Sequence, residues 1–287
     1  MMEATQDMAI ASPPRDSVQV RTSKRVSPVW IKAKAMLTSF ALAMGGLALM
    51  LGVWQYIAHT HEDFPGPAAT LPVLWDMLRH PFYDNGPNDK GVGIQVWMSL
   101  GRVFRGWMLG SLIAIPIGLA MGSNRAIMGV LNPVVQFMRP VSPLAWYPIG
   151  LAILKNSETA VVFAITVTSL WPTLINTMFG VSSLPEDYRN VARVYRFSRW
   201  KYITKVLIPY SLPHIFTGLK LSMGIAWVVI VAGEMLAGGT GIGYFVWDSW
   251  NAFSLEKVIS AIIIIGAIGF MLDRALDWMV KRVSYSA

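Results

Sequence analysis

Charge is absent from this chain over stretches as long as a lipid bilayer is thick. No charged residue stands between Lys34 and Glu62, between Arg105 and Arg125, or between Glu158 and Glu186. A helix crosses the hydrocarbon layer with roughly 20 apolar residues, so these gaps define three spans, the first at 36–58. A further span is expected at 127–154, interrupted by Arg139, Pro133, Pro140, Pro143 and Pro148. Proline removes a helical donor and its ring clashes with the preceding turn, so this span is expected to be bent or broken and shielded from lipid. Two more are expected at about 213–237, enclosing Lys220 and Glu234, and at 258–280, containing Ile262 to Ile265. The sequence therefore predicts an all-α polytopic membrane protein with six transmembrane helices.

Composition supports that class and removes others. The chain is 54% hydrophobic and 14% charged, with mean hydropathy +0.48, more apolar surface than one soluble core of 287 residues needs. It has no cysteine, so a disulfide framework, a thiolate metal site and a thiol nucleophile are excluded; its four histidines, His59, His61, His80 and His214, are scattered. No metal site and no catalytic residues are expected. The net charge of +8 falls between spans and forms no basic face, which argues against nucleic acid.

The basic residues instead orient the chain. Seventeen lie in the N-terminal segment, the 181–209 loop and the other segments on that side, including Lys220; six lie opposite, namely Arg79, Lys90, Arg102, Arg105, Lys155 and Lys257. The positive-inside bias puts both termini in the cytoplasm of a multi-pass inner-membrane protein. The expected organisation is a cytoplasmic segment at 1–35, a first helix at 36–58, an external loop at 59–94 and a five-helix core at 95–283. The polar, proline-bearing first 35 residues do not suit a signal-peptide n-region, so the first span is expected to be retained.

The 181–209 loop carries the strongest functional signal. Pro185, Glu186 and Asp187 suit a helix start, and Pro209 with Pro213 is expected to separate this unit from the fifth span. Tyr188, Val191, Ala192, Tyr195 and Trp200 offer an apolar side ringed by arginines, suited to docking a protein or to lying among lipid headgroups. This loop resembles the EAA loop of ABC-importer permeases, whose pattern is Glu-Ala-Ala, three residues, Gly, then Ile-x-Leu-Pro. Here Asn190, Val191 and Ala192 correspond to the triplet, Arg196 replaces the glycine, and Leu207-Ile208-Pro209 ends the motif. Further stretches match in order: RPVSPLAWYPI at 139–149, PEDYRNVARV at 185–194, FTGLKLSMGIAWVVIVAGEML at 216–236 and GGTGIGYFVWDSWN at 238–251. Over about 95–283 the chain resembles the nitrate, bicarbonate, taurine and alkanesulfonate group of these permeases, nearest its cyanobacterial nitrate branch.

The resemblance implies a type I importer (MetI-like) permease core. It also implies a two-fold pair of permeases, two cytoplasmic ATPase subunits, identical or different, and an external solute-binding protein. ATP and Mg would be held by the ATPases, because this chain has no GxxxxGK[ST] loop to cradle phosphates. The coupling helix is expected at about 186–200, with Glu186, Asp187, Tyr188, Val191, Ala192, Tyr195, Arg196 and Trp200 at the ATPase contact. The expected substrate is a small inorganic anion, with nitrate ahead of nitrite, bicarbonate or a sulfonate. Arg139, Arg102, Arg105 and Glu234 are its candidate pathway residues, each with a competing structural reading: Arg139 binding carbonyls freed by the prolines, the outer arginines reaching for headgroups, Glu234 held in a pair. Gly238, Gly239, Gly241 and Gly243 follow a membrane span and not a strand, so they read as an outer turn, suited to contacting the binding protein, and not as a dinucleotide loop. From a different class, an ion-gradient-driven secondary transporter would show a buried acid or histidine relay or an inverted repeat, and neither is evident.

Overall fold

A computed structural model describes residues 28–86 and 89–284, with side chains from Met36 to Arg282. The expected cytoplasmic segment at 1–35 falls almost wholly outside the described residues. Helix α1 (Pro28–Thr60) is apolar around its whole circumference. The remaining elements form a second unit. They are α2 (Pro67–Arg79), α3 (Val92–Ser123), α4 (Arg125–Met138), a 3-10 turn (Pro143–Ala145), α5 (Trp146–Leu154), α6 (Ser157–Ser182), α7 (Glu186–Val194), α8 (Arg199–Tyr202), a π turn (Ile203–Leu207), α9 (Ile208–Ala237), α10 (Ile242–Asn251) and α11 (Leu255–Ser284). Among the described residues five helical runs are long and apolar enough to cross a membrane. The sixth expected span is the divided pair α4 and α5.

Helix α6 is the centre of the second unit, with α3 on one side and α9 on the other. The contact between α3 and α6 is set by Gly106, Gly110, Ala114, Gly118 and Gly122, one small residue every fourth position. A Cβ placed on Gly106 would lie 2.7 Å from Ile165 Cβ, and one on Gly118 would lie 2.7 Å from Thr177 Cβ. Lipid tails are as apolar as leucine, so helices in a bilayer gain little by hiding apolar side chains. They associate by close backbone approach, which small residues permit. Where α3, α6 and α9 converge, Trp107 Nε1 donates to Ser222 Oγ (2.9 Å), and the Ser222 and Thr173 hydroxyls are 3.0 Å apart. Val103, Ala160, Ile165, Met223, Ala226 and Ile230 belong to one buried cluster, against which Trp107 packs. Helix α11 closes against α9, fastened by Lys220 Nζ to Asp277 Oδ1 (2.9 Å) and Asp273 Oδ1 (3.3 Å).

Two boundaries differ from the sequence reading. The segment at 59–94 is not a plain loop: it holds α2, whose neighbours are α11 and α3, and a turn closed by pairing of Asp84 with Lys90. There the Lys90 ammonium donates to Asp84 Oδ2 (2.7 Å), which holds that exposed carboxyl below the ordinary carboxylate range. Secondly, Pro209 and Pro213 do not separate the loop from the fifth span, because one helical run extends from Arg199 to Ala237. The ladder changes to a π turn just ahead of Pro209, the kind of local irregularity at which a helix accommodates a proline. The Ser211 hydroxyl donates to the Leu207 carbonyl (2.7 Å), satisfying an acceptor beside the two prolines.

Candidate functional site

Helix α7 is short, carries Glu186 and Asp187 in its first turn and Arg193 in its last, and so complements its own dipole. It ends in a tight reversal: Arg196 N–H donates to the Arg193 carbonyl (3.0 Å), and Phe197 N–H donates to the Ala192 carbonyl (2.9 Å). The residue between these bonds normally sits in left-handed backbone, which glycine adopts without penalty. Arg196 occupies it here at φ 49°. This is the position at which the EAA pattern has glycine, so the chain departs from the pattern in residue type while keeping its turn.

The reversal shortens the expected coupling helix from 186–200 to 186–194. Ser198 Oγ accepts from Lys201 N–H (3.3 Å) and starts α8 afresh, so Trp200, although exposed, stands on a different helix from Tyr195. The expected apolar face also needs revision. Tyr188, Val191, Val194 and Tyr195 are more than half exposed and form one outward surface, but Ala192 is 6% exposed and turns toward the helical body. Burial and not period decides this, because Ala192 stands three residues from Arg189 and three from Tyr195.

The divided span presents Arg139. Helix α4 stops at Met138, and Ser142, ahead of Pro143, is extended at ψ 132° as a residue before proline must be. The backbone around the break bonds locally, with Arg139 N–H to the Val135 carbonyl (2.9 Å) and Ala145 N–H to the Ser142 carbonyl (3.0 Å). Among the described residues the Arg139 guanidinium has neither an ion-pair nor a hydrogen-bond partner. It lines a cavity of about 360 Å³ with Trp146, Thr168, Trp171 and Asn176. The reading in which it binds freed carbonyls is therefore not what the geometry shows.

Arg102 and Glu234 are brought together from positions 132 residues apart, as a buried pair. Arg102 Nη1 donates to Glu234 Oε1 (2.7 Å) and to the Thr240 carbonyl (2.6 Å); the two residues are 6% and 1% exposed. The Ser99 hydroxyl lies 2.8 Å from both Glu234 oxygens and accepts from Ile242 N–H (2.9 Å). Gly243 N–H donates to Glu234 Oε2 (3.0 Å), and Gly241 N–H to Gln95 Oε1 (2.6 Å). A carboxylate thus sits at the start of α10, where amide donors and the helix dipole favour negative charge. The intervening turn takes positive φ at Gly238 (72°), Gly239 (91°) and Gly241 (132°), which accounts for its glycines. Arg102 therefore does not reach for headgroups. Arg105 remains exposed, its Nη2 donating to Glu158 Oε1 (2.8 Å).

Sequence reasoning missed Gln95 and Ser99, although with Arg102 they make a polar stripe at four- and three-residue spacing on an otherwise apolar helix. Among the described residues no group of acidic or histidine side chains is arranged to hold a metal ion.

Comparison with known proteins fits this arrangement. The sequence profile of the family described as "binding-protein-dependent transport system inner membrane component" matches residues 110–285. The nitrate import permease protein NrtB of Synechocystis sp. is 40% identical over 238 residues, covering 83% of this chain and 86% of that protein. The bicarbonate transport system permease protein CmpB of Synechococcus elongatus is 40% identical over 256 residues, covering 88% and 92%. Among solved structures, an inward-facing form of the MetNI methionine ABC transporter has a similar fold, with TM-score 0.61 at 16% identity over 67% of this chain and 95% of that one. A multi-pass bundle with a short amphipathic helix between two spans, sharing two fifths of its residues with importer permeases, belongs to the inner-membrane permease components of binding-protein-dependent ABC transport systems.

Proposed function

We propose that this permease moves a small inorganic anion, nitrate first, into the cytoplasm. The observation that supports an anion is Arg139, a cation without a protein partner on a cavity inside a divided span. An uncompensated charge at membrane depth is costly unless it faces water or a ligand. The choice of nitrate rests on likeness to permeases named for nitrate; bicarbonate is the second reading, because a bicarbonate permease is equally similar.

In this reading both termini lie in the cytoplasm, two copies of the chain surround a two-fold axis, and an external binding protein delivers the anion. ATP and Mg belong to two ATPase subunits, identical or different. They dock on the outward surface of Tyr188, Val191 and Tyr195, and their closure brings the two α7 helices together, a rigid-body change at a bistable interface. Arg102 and Glu234 act as a fastening in this scheme and not as substrate ligands.

The test is Arg139→Gln in the assembled complex, with labelled nitrate uptake and basal ATPase activity measured together and bicarbonate as competitor. Uptake should fall about tenfold or more, the loss of one charge-assisted contact, with assembly intact. Unchanged uptake across nitrate concentrations would remove Arg139 from the pathway. Stronger inhibition by bicarbonate than by unlabelled nitrate would favour the second reading.

A further inference from the structure

Helix α7 has a second face. Arg189, half-buried, and the more exposed Arg193 and Arg196 line, with Ala192 and with Arg199 of α8, a cavity of about 450 Å³. The cavity is bounded on the other side by the ends of α3 and α6, at Ser123 and Val181. Of the α7 side chains on this cavity only Ala192 is apolar; Tyr188, Val191 and Val194 are exposed and do not line it.

Three observations indicate that these arginines await a ligand. Among the described residues none of the four guanidinium groups has a carboxylate partner; Glu186 and Asp187, on the same helix, are exposed and pair with none of them. Arg189 Nε is removed from solvent and has no hydrogen-bond acceptor, which leaves a charged donor desolvated without compensation. Arg196 holds left-handed backbone that glycine would take at lower cost, and its side chain lines the cavity. A strained arginine, a desolvated donor and four like charges around one space are each unfavourable in the empty state. A single anion compensates the desolvated donor and the like charges together.

We infer that the cavity behind α7 binds a phosphate group. A monovalent planar anion such as nitrate would leave most of the charge unbalanced. A phosphate dianion or phosphodiester offers several acceptor oxygens to several planar guanidinium forks, the pairing at which arginine excels. The volume exceeds one phosphate and admits the group attached to it, with water. The phosphate comes either from an anionic lipid headgroup or from a soluble phosphate compound. This site is distinct from the Arg139 cavity and does not rest on the nitrate reading.

The full complex with its ATPase subunits, reconstituted in nanodiscs of phosphatidylcholine alone, is titrated with inorganic phosphate while its Tm is followed. In parallel, nanodiscs containing phosphatidylglycerol are examined by native mass spectrometry for lipid retained by each permease chain. The variants are Arg189→Gln and Arg196→Gly. The second relieves the backbone, so a lost response in it is not a folding failure. A saturable rise in Tm, with apparent Kd at least about tenfold weaker in both variants, assigns a soluble phosphate. Retention of phosphatidylglycerol by wild type and its loss from both variants assigns a lipid headgroup. Neither effect in wild type, or effects unchanged in the variants, overturns the proposal. So does loss of ATPase co-isolation in Arg189→Gln without any phosphate or lipid effect, which would make the arginines a protein contact.

Discussion

A buried ion pair inside a membrane bundle is worth less for its attraction than for what its loss leaves behind. Removing one partner strands the other charge without water, whereas removing both can be nearly neutral. Arg102→Gln should therefore destabilise the purified complex by about 3–5 kcal/mol, seen as a lower Tm and lower yield. Adding Glu234→Gln should recover much of that loss. A double variant as unstable as the sum of the singles would mean that the two residues do not act on each other. The same reasoning explains why the sequence suggested a pair for Glu234 but could not name its partner. Each reads as a charge inside an apolar segment, and only the fold shows that Gln95, Ser99, Thr240 and the α10 amides supply the rest of the cradle.

At the scale of elements, the spans were legible because charge in hydrocarbon is costly enough to be written as gaps in the sequence. The four-residue ladder on α3 was equally present, but it was hidden among 24 glycines whose neighbours are fixed only by packing. Its importance can be measured. A Cβ on Gly110 would meet the Thr166 carbonyl oxygen at 2.5 Å, whereas one on Gly129 of α4 meets nothing within 4 Å. Gly110→Ala should cost about 1–3 kcal/mol by overpacking. Gly129→Ala should gain up to about 1 kcal/mol from helix propensity. Equal Tm values for the two variants would argue against the ladder. Helix α7 gives a second pair. Its start was legible from Pro185 and the acidic first turn; the inward orientation of Ala192 was not, since both sides of this helix mix apolar and basic residues. Tyr195→Asp should leave the permease in the membrane at normal amount while reducing ATPase co-isolation about tenfold or more, since it places a charge in the outward surface. Ala192→Asp should instead lower the amount of permease itself, because it buries a charge against the body. The opposite pattern would reverse the assignment of the two faces.

For the whole molecule, the expected assembly is two copies of this chain in an isologous contact. Native mass spectrometry of the transport-competent complex should find both, and a competent complex with a single permease would contradict the proposed architecture. The chain also carries a mechanical property across its full thickness. The run from Arg199 to Ala237 joins the α7 loop at one end to the glycine turn and the Arg102–Glu234 fastening at the other, without an intervening hinge loop. At about 1.5 Å per residue its 39 residues make a lever of about 60 Å. Turned by about 5° around its loop end, such a lever carries its far tip about 5 Å, roughly one helical turn. A small rigid tilt at the α8 end thus becomes a displacement of the opposite end.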